Sequence, residues 1–551
     1  MALRDTTDNK KYFEKLPNVV LIPWHYDNKN VRPYPYIGKR EIFCGPKLQN
    51  EDSKERKFIR TSGRFFNIDE VLSRLNENDR KIDLIVSILE SGKNICFPKN
   101  LGKIKCPKIA LVADTHHSLY SISSIIRYIK REVFDHMLIF GQPAHLHFFY
   151  EAGIRHCAYI PRPVLKLETV NTKKPGVTFI GKRWKPTHLR RNQMLYFLEK
   201  NLPKKNIPFH RYNRLSKPNW RKVLTHSKMV VISSLNGQIT PQIYNALSAG
   251  ALCFADELSP QTSLYLFFEP GKHFVEWYNF EDMLEKIIYY YNHPAEAELI
   301  AKAGKFQAEN NYVRNISFPH FISEFVFENK VDSRLLAIND RRCQQKRVES
   351  PEYFEARVRL YENIQEMHRI HEMLTLISIT DKNLKPSADL ADLQRLRITH
   401  AFLSENSKKE ADLYFKNVGV NNQIITTMLE KIKNNRSYDI GILESPTNQT
   451  EWKFLVKNIS GFLKSNSLLW IIGELTSFEK EILKKEGFKR YNFNKTSVML
   501  KIKEISRNFC LLFWKLGMYP FPYLTLKPAM ETTNNLNVFL RGWQANLSFI
   551  Y

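Results

Sequence analysis

The chain has 551 residues, which at roughly 100–200 residues per domain is about three domains. Apolar residues make up 43% and aromatics 13%, with only 20 glycines, so wholesale disorder and collagen-like or Gly-repeat architectures are excluded. Lys plus Arg (83) exceeds Asp plus Glu (56), and the net +27 favours phosphate-bearing partners: nucleotide-linked substrates, nucleic acid or an anionic membrane face. The seven cysteines show no C-x-x-C or Cys/His zinc spacing, so no metal site is expected. The start lacks an apolar signal region and no run of 18 apolar residues occurs, which together suggest reduced thiols and a cytoplasmic protein.

In chain order, residues 1–75 hold one strand-like run, NVVLIPW (18–24). From about 81, short apolar runs alternate with helical patterns. Strands are predicted over 81–89, 108–114, 136–141 and 157–163, with helices over 121–133 and 144–153. Continuous apolar strands separated by helices imply a parallel sheet covered on both faces. A polar linker (165–176) follows. A second α/β set has strands at 176–181, 207–213, 228–234 and 251–256. Its helices fall at 188–202, 219–227, 240–250, 279–293, 297–311 and 317–329. After a charged boundary, a long helix is predicted over 353–377, then an α/β half from about 419. That half has strands at 437–445 and 467–474, helices at 451–463 and 477–488, and a hairpin-like 489–503. The fold class is therefore α/β, with a pair of doubly wound Rossmann-like domains facing a cleft and a C-terminal α/β domain. The expected boundaries are 1–165, 176–330, 335–505 and an apolar, aromatic tail at 506–551.

Chemistry concentrates in SSLNGQITPQIYNALSAGALCFADEL (233–258). Pro at the first helical position after Thr240 marks a helix start. The open N–H groups and dipole of that helix end would attract a phosphate, or the segment is an ordinary strand–helix turn without a ligand. In the first domain, Asp114, His116 and His117 follow a strand's carboxyl end, where ligands bind in open α/β sheets. An Asp or His there can take a proton from an acceptor hydroxyl, or Asp114 caps the next helix and the histidines are surface residues. His145 and His147 are weaker candidates.

YNALSAGALCFAD (244–256), EPGKHFVEWYNFEDMLEKIIYYYNHPAEAELIAKAG (269–304) and Tyr312-Val313-Arg314 resemble the donor-binding half of GT-B glycosyltransferases, in the group similar to the spore maturation protein CgeB. The resemblance spans about 176–315, extends more weakly back to 81 as the acceptor half, and includes a D-T-H matching the group's D-x-H. It implies transfer of a sugar from a nucleotide sugar to a hydroxyl of a glycan, lipid-linked or protein acceptor. The nucleotide sugar is a substrate, and no cofactor is implied. It also implies that Lys/Arg side chains and helix N-termini neutralise the diphosphate without a metal, and no D-x-D cluster stands where a metal-dependent enzyme would need one. The implied donor-binding residues are Gly181, Lys182, Arg183 and Arg190 or Arg191. Being adjacent, these two arginines are expected to diverge, leaving one merely solvated. The loop Asn236-Gly237-Gln238 to Thr240 would cradle the sugar or β-phosphate, with Gln242, Tyr244 and Asn245 beside it. Two positions depart from the family: its Arg is Gln242 here and its ribose-holding Glu is Asn245, which keeps hydrogen bonding but brings no charge.

The segment 419–503 resembles the second half of a class I methyltransferase. The Gly-rich loop that should precede it, around 398–420, offers only Gly419, so a degenerate, non-catalytic domain for acceptor binding or assembly is expected. The tail either packs on that domain or sits at a membrane interface near a lipid-linked acceptor. Two rival readings stand beside the transferase: a nucleic-acid-binding or nucleic-acid-modifying protein, and a catalytically inactive scaffold.

Overall fold

A computed structural model describes residues 16–490 and 536–541 apart from short stretches, the longest being 25–35, 182–188, 90–95, 116–120, 312–317, 329–334 and 344–349. Asp114, His116, His117, Lys182, Arg183, Asn236 and Gln238 lie outside the described residues.

The first sheet joins β1 (Val19–Pro23), β2 (Arg40–Gly45), β3 (Arg56–Arg60), β4 (Leu84–Leu89), β5 (Lys108–Val112), β6 (His136–Ile139) and β7 (Cys157–Tyr159). Its order is β3-β2-β1-β4-β5-β6-β7 and every pair is parallel. Helices α1 (Ser121–Arg131) and α2 (Leu146–Glu151) lie in its crossovers. The sheet thus begins near residue 19 rather than 81. Strands β2 and β3 escape a reading by apolar runs because charges sit inside them. Glu41 and Arg56 are register partners across the two strands and form a buried ion pair at 2.7 Å. Each charge meets its counter-charge, so the pair can be buried where either alone could not.

The second sheet joins β8 (Lys174–Ile180), β9 (Phe209–Tyr212), β10 (Ser227–Ile232), β11 (Leu252–Asp256) and β12 (Val275–Trp277), all parallel, in the order β9-β8-β10-β11-β12. Helix α3 (Leu189–Asn201) follows β8 and α4 (Pro241–Ser248) follows β10. The direction of winding reverses between β8 and β10, which makes their carboxyl ends a switch-point crevice. The family-like run ending in Gly304 has a packing reason: a Cβ there would come within 2.2 Å of the His273 carbonyl oxygen. Only glycine lets that helix lie so close to the turn beneath it. Beyond this sheet the chain crosses back to the first, where Leu336 bridges Ala158 on β7 and the Phe325 ring meets His136 at 5.6 Å. One continuous apolar core runs through all three sheets, from Leu111 to Ile243 to Leu376.

The third sheet follows α5 (Pro351–His368). It joins β13 (Leu374–Ile379), β14 (Leu396–Phe402), β15 (Ile424–Met428), β16 (Tyr438–Glu444), β17 (Leu463–Ile472), β18 (Phe488–Arg490) and β19 (Leu536–Arg541). The order is β15-β14-β13-β16-β17-β19-β18, with β19 antiparallel to both neighbours and the rest parallel. Two expectations are corrected. The predicted helix over 353–377 stops at His368, because LTLISI alternates and is β-branched, and it forms the central strand. The domain therefore starts its sheet at 374, not 419, and the loop after its first strand is 380–384, which contains no glycine. Residues 398–420 hold most of β14 and a helix over Glu405–Val418 instead. Of the tail, the described piece is β19, a strand inside this sheet; most of the hairpin-like 489–503 lies outside the described residues. Among the described residues no helix is long and apolar enough to cross a membrane. Helix α6 (Lys385–Leu390) follows β13 and is buried along its whole length.

His400 in β14 is fully buried, hydrogen-bonded to Ser387 Oγ and the Thr380 carbonyl at 2.9 Å each, and burial pushes its imidazole down to about 4 from the usual 6.5. Between those values the unfolded chain binds a proton that the folded chain refuses. This contribution is complete above pH 6.5 and is lost as acid approaches pH 4, amounting to about 2 kcal/mol at pH 5. Denaturant titrations at pH 7 and pH 5 should show this loss, and a His400→Gln variant should show a shallower one.

Candidate functional site

The carboxyl ends of β8 and β10 form a polar mouth. After β10 come Ser233 and Ser234, 1% and 4% exposed, and the Ser233 hydroxyl has no hydrogen-bond partner. The Ser234 amide donates to Asp256 Oδ1 at 2.7 Å, at the end of β11. Arg191, in the first turn of α3, is 7% exposed and donates from Nη2 to the Ser233 carbonyl at a long 3.4 Å, while its Nε has no partner. Its guanidinium lies over the Phe179 ring at 5.8 Å, close to Gly181. Burial pulls it down to about 10, with Asp256 acting the other way, so it remains cationic at neutral pH. Among the described residues no carboxylate lies within ion-pair distance of it. Asn192, next in the helix, is 8% exposed with neither side-chain polar atom bonded. From the first sheet, Gln142 reaches this mouth: it is 2% exposed, its Oε1 has no partner, and its Nε2 would lie 3.2 Å from a Cβ placed on Gly237. Buried polar groups are normally hydrogen-bonded, and the Ser233 hydroxyl, Arg191 Nε and Gln142 Oε1 near this edge have no protein partner, which makes it the candidate ligand site.

The structure redistributes the roles expected for the described site residues. Arg190 and Arg191 do diverge, but neither is merely solvated, because α3 begins at the carboxyl edge and both side chains fold onto it. Arg190 donates to the Tyr278 carbonyl at 3.1 Å, lies 3.9 Å from Asp256 Oδ2 and sits over Trp277 and Phe280. Its charge answers Asp256, whose carboxyl is raised by burial and lowered again by Arg190. Gly181 donates its amide to the Tyr212 carbonyl at 2.9 Å. Its backbone is not left-handed, whereas Gly237 is, with φ of +80°.

Thr240 is the cap of α4, as its sequence predicts, but the open amides expected there are occupied. Pro241 has no N–H, Thr240 Oγ1 accepts from the Gln242 amide at 3.1 Å, and the Ile243 amide donates to the Thr240 carbonyl at 3.1 Å. Only the helix dipole is left to favour an anion. Removing this cap with Thr240→Ala should cost about 1 kcal/mol in denaturant unfolding. Gln242 donates its side-chain amide to the Ile180 carbonyl at 3.0 Å, tying α4 to the end of β8. Tyr244 is 1% exposed, with its hydroxyl 3.4 Å from that of Tyr159 on β7. It is a core residue joining the two sheets, which corrects its placement against the donor. Half-buried Asn245 lies one turn along from Gln242 on the same face of α4.

In the first sheet, Thr115 holds the segment after β5. It is fully buried, bonded to His145 Nδ1 at 2.7 Å, and its carbonyl accepts from Ser121 Oγ at 2.5 Å. His145 continues to Tyr361 at 2.8 Å, and His147 bonds Asp389 at 3.0 Å and the Ala144 carbonyl at 2.9 Å. Both histidines are 0% exposed and serve packing, which removes them as site candidates. A concavity of about 620 Å³ lined by Asp69, Arg80, Lys81, Lys103 and Lys105 lies at the amino ends of β4 and β5, away from the mouth. Among the described residues no cluster of ligands could hold a metal ion.

The second sheet and its mouth coincide with a known domain type. Residues 164–318 match the glycosyl transferase-like family model. This match supports a transferase of the glycosyltransferase class. No curated protein matches the chain. Among solved structures, TarM is similar at 13% identity and a TM-score of 0.33, over 42% of this chain and 52% of TarM, so the chain spans about half that protein's length. Precorrin-6y C5,15-methyltransferase from Geobacter metallireducens is similar at 12% identity and a TM-score of 0.22, over 27% of this chain and 77% of that one. Fibrillarin from Aeropyrum pernix shares 10% identity with a TM-score of 0.19, over 22% of this chain and 60% of that one.

Proposed function

We propose that this chain is a GT-B glycosyltransferase of the CgeB-like group, moving a sugar from a nucleotide-sugar donor to a hydroxyl of a glycan, lipid-linked or protein acceptor. The observation that carries the reading is Arg191: a buried cation in a switch-point crevice that, among the described residues, feels Asp256 but has no carboxylate within ion-pair distance, beside the unbonded Ser233 hydroxyl. A buried charge needs a counter-charge. A donor diphosphate supplies one, and Ser233, Asn192 and Gln142 offer neutral hydrogen bonds around it. By the family resemblance, Lys182 and Arg183 would add charge to the diphosphate, Asn236, Gly237 and Gln238 would serve the sugar, and Asn245 would serve the ribose. Asp256 and Arg190 hold the crevice's far wall.

In the reaction, the bond between the anomeric carbon and the β-phosphate oxygen breaks and a bond to the acceptor oxygen forms. The acceptor's proton passes to Asp114 or His116. The charge left on the nucleoside diphosphate is met by guanidinium and ammonium groups rather than a metal ion. Dependence on nucleotide sugars fits the cytoplasmic setting expected from the sequence. Incubation with UDP-, GDP-, ADP- and CDP-linked sugars, scoring free nucleotide, tests this. Slow hydrolysis of one donor class without acceptor is expected; silence with every donor would favour an inactive scaffold.

A further inference from the structure

The third sheet's first strand–helix unit is occupied in holding the other two sheets. Helix α6 and the turn after it carry Lys385, Asp389 and Asp392, all buried. Lys385 pairs with Glu151 of α2 at 3.0 Å, and Asp389 bonds His147 of the same helix. Asp392 reaches the second sheet: its Oδ1 accepts from Ser259 Oγ at 2.6 Å. Its Oδ2 pairs with Arg342, and Arg342 Nη2 donates to the Ala144 carbonyl at 3.0 Å in the first sheet. The result is an unbroken chain of buried bonds, Ala144–Arg342–Asp392–Ser259, that crosses from one lobe to the other.

Both ends of this chain adjoin the mouth. Ala144 is two residues beyond Gln142, and Ser259 is three residues beyond Asp256. Arg342 and Asp392 are 2% and 3% exposed, so the bridge works at low dielectric, where its bonds are strong and its geometry well defined.

We propose that Arg342 and Asp392 are positioning residues that fix the spacing between the loop carrying Gln142 and the loop carrying Asp256, and that the third domain serves the transferase as this clasp. The proposal rests on the reading of the mouth as the donor site, but the clasp itself is testable without any donor. It gives a reason for the missing glycines after β13: the helix that would face a small ligand of this domain is buried against the first sheet, with its polar groups in use.

The test is amide hydrogen exchange on the full chain without ligand, in wild type, Ser259→Ala and Ser259→Thr. Losing one hydrogen bond shifts a local opening equilibrium by about fivefold. In Ser259→Ala, exchange should rise about that much at 256–262 and also at 142–146, which Ser259 does not adjoin in sequence, with the melting temperature nearly unchanged. Ser259→Thr, which keeps the hydroxyl, should restore both. Asp392→Asn should loosen both loops further; if that variant fails to fold, the two serine variants decide the matter alone. A rise confined to 256–262, or Ser259→Thr behaving like Ser259→Ala, would overturn the clasp. Failure of every nucleotide sugar to react would leave this exchange result standing and would speak only against the donor reading.

Discussion

Replacing Arg357 by Met is expected to cost the protein about 3–5 kcal/mol of stability, the range for stripping one partner from a buried ion pair. Arg357 is 1% exposed and holds two carboxylates, Asp389 and Glu151, each at 2.5 Å. Burial alone would raise the Asp389 carboxyl, but Arg357, His147 and Arg342 outweigh it and keep it at about 2. The sign of the pH dependence follows. A carboxylate held that low stabilises the fold above its unfolded value of 3.8 and loses that contribution as pH falls towards 2. Without Arg357 the gap to wild type should therefore be wide at pH 7 and narrower near pH 4, where the stranded carboxyl can take a proton. The double variant Arg357→Met/Asp389→Asn should recover part of the loss, because the charge left behind is removed too. Denaturant unfolding at both pH values measures all three proteins. A loss under about 1 kcal/mol in the single variant would mean that the α5–α6 network does not hold the third domain to the first.

Arg191→Met should behave in the opposite way. It removes a buried cation that, among the described residues, has no carboxylate within ion-pair distance, so stability should hold or rise by up to about 1 kcal/mol. Arg190→Met, one residue earlier, should lower stability by about 2–4 kcal/mol, because it strands Asp256 in the interior. Adjacent arginines with effects of opposite sign on thermal and denaturant unfolding would separate a residue kept for a ligand from one kept for the fold. Equal losses in both variants would make Arg191 an ordinary structural residue.

Most of the second sheet was legible in the sequence because its strands are continuous apolar runs and Thr240-Pro241 is a strong helix start. Strands β2 and β3 were hidden by the Glu41–Arg56 pair, since a charge inside a strand reads as exposed until its partner is known. Strand β13 was absorbed into a helix because LTLI continues the apolar periodicity of 353–368; only the β-branched alternation through Ile379 distinguishes it. The misplaced boundary put the expected glycine loop at 398–420 instead of 380–384.

At the mouth, Gly181 and the neighbourhood of Thr240 were readable from motif spacing. The contributions of Gln142, Ser233 and Ser234 were not, because which strand ends share a crevice depends on sheet order. The segment I-S-S after an apolar run and G-Q-P after another were the available signals, and both are common. The open amides expected at α4 were lost to the cap itself: the same Thr240 that announces the helix also consumes its first free N–H.

The measurement closest to the central claim is calorimetric titration of UDP, GDP, ADP and CDP into wild type and Arg191→Met. If Arg191 is the buried counter-ion of a donor diphosphate, one of these should bind wild type and bind the variant at least ~10-fold more weakly, the worth of a charge-assisted hydrogen bond. The affinity should be regained in neither high nor low salt. Binding of equal strength to both proteins, or no binding of any diphosphate to a folded wild type, would contradict it.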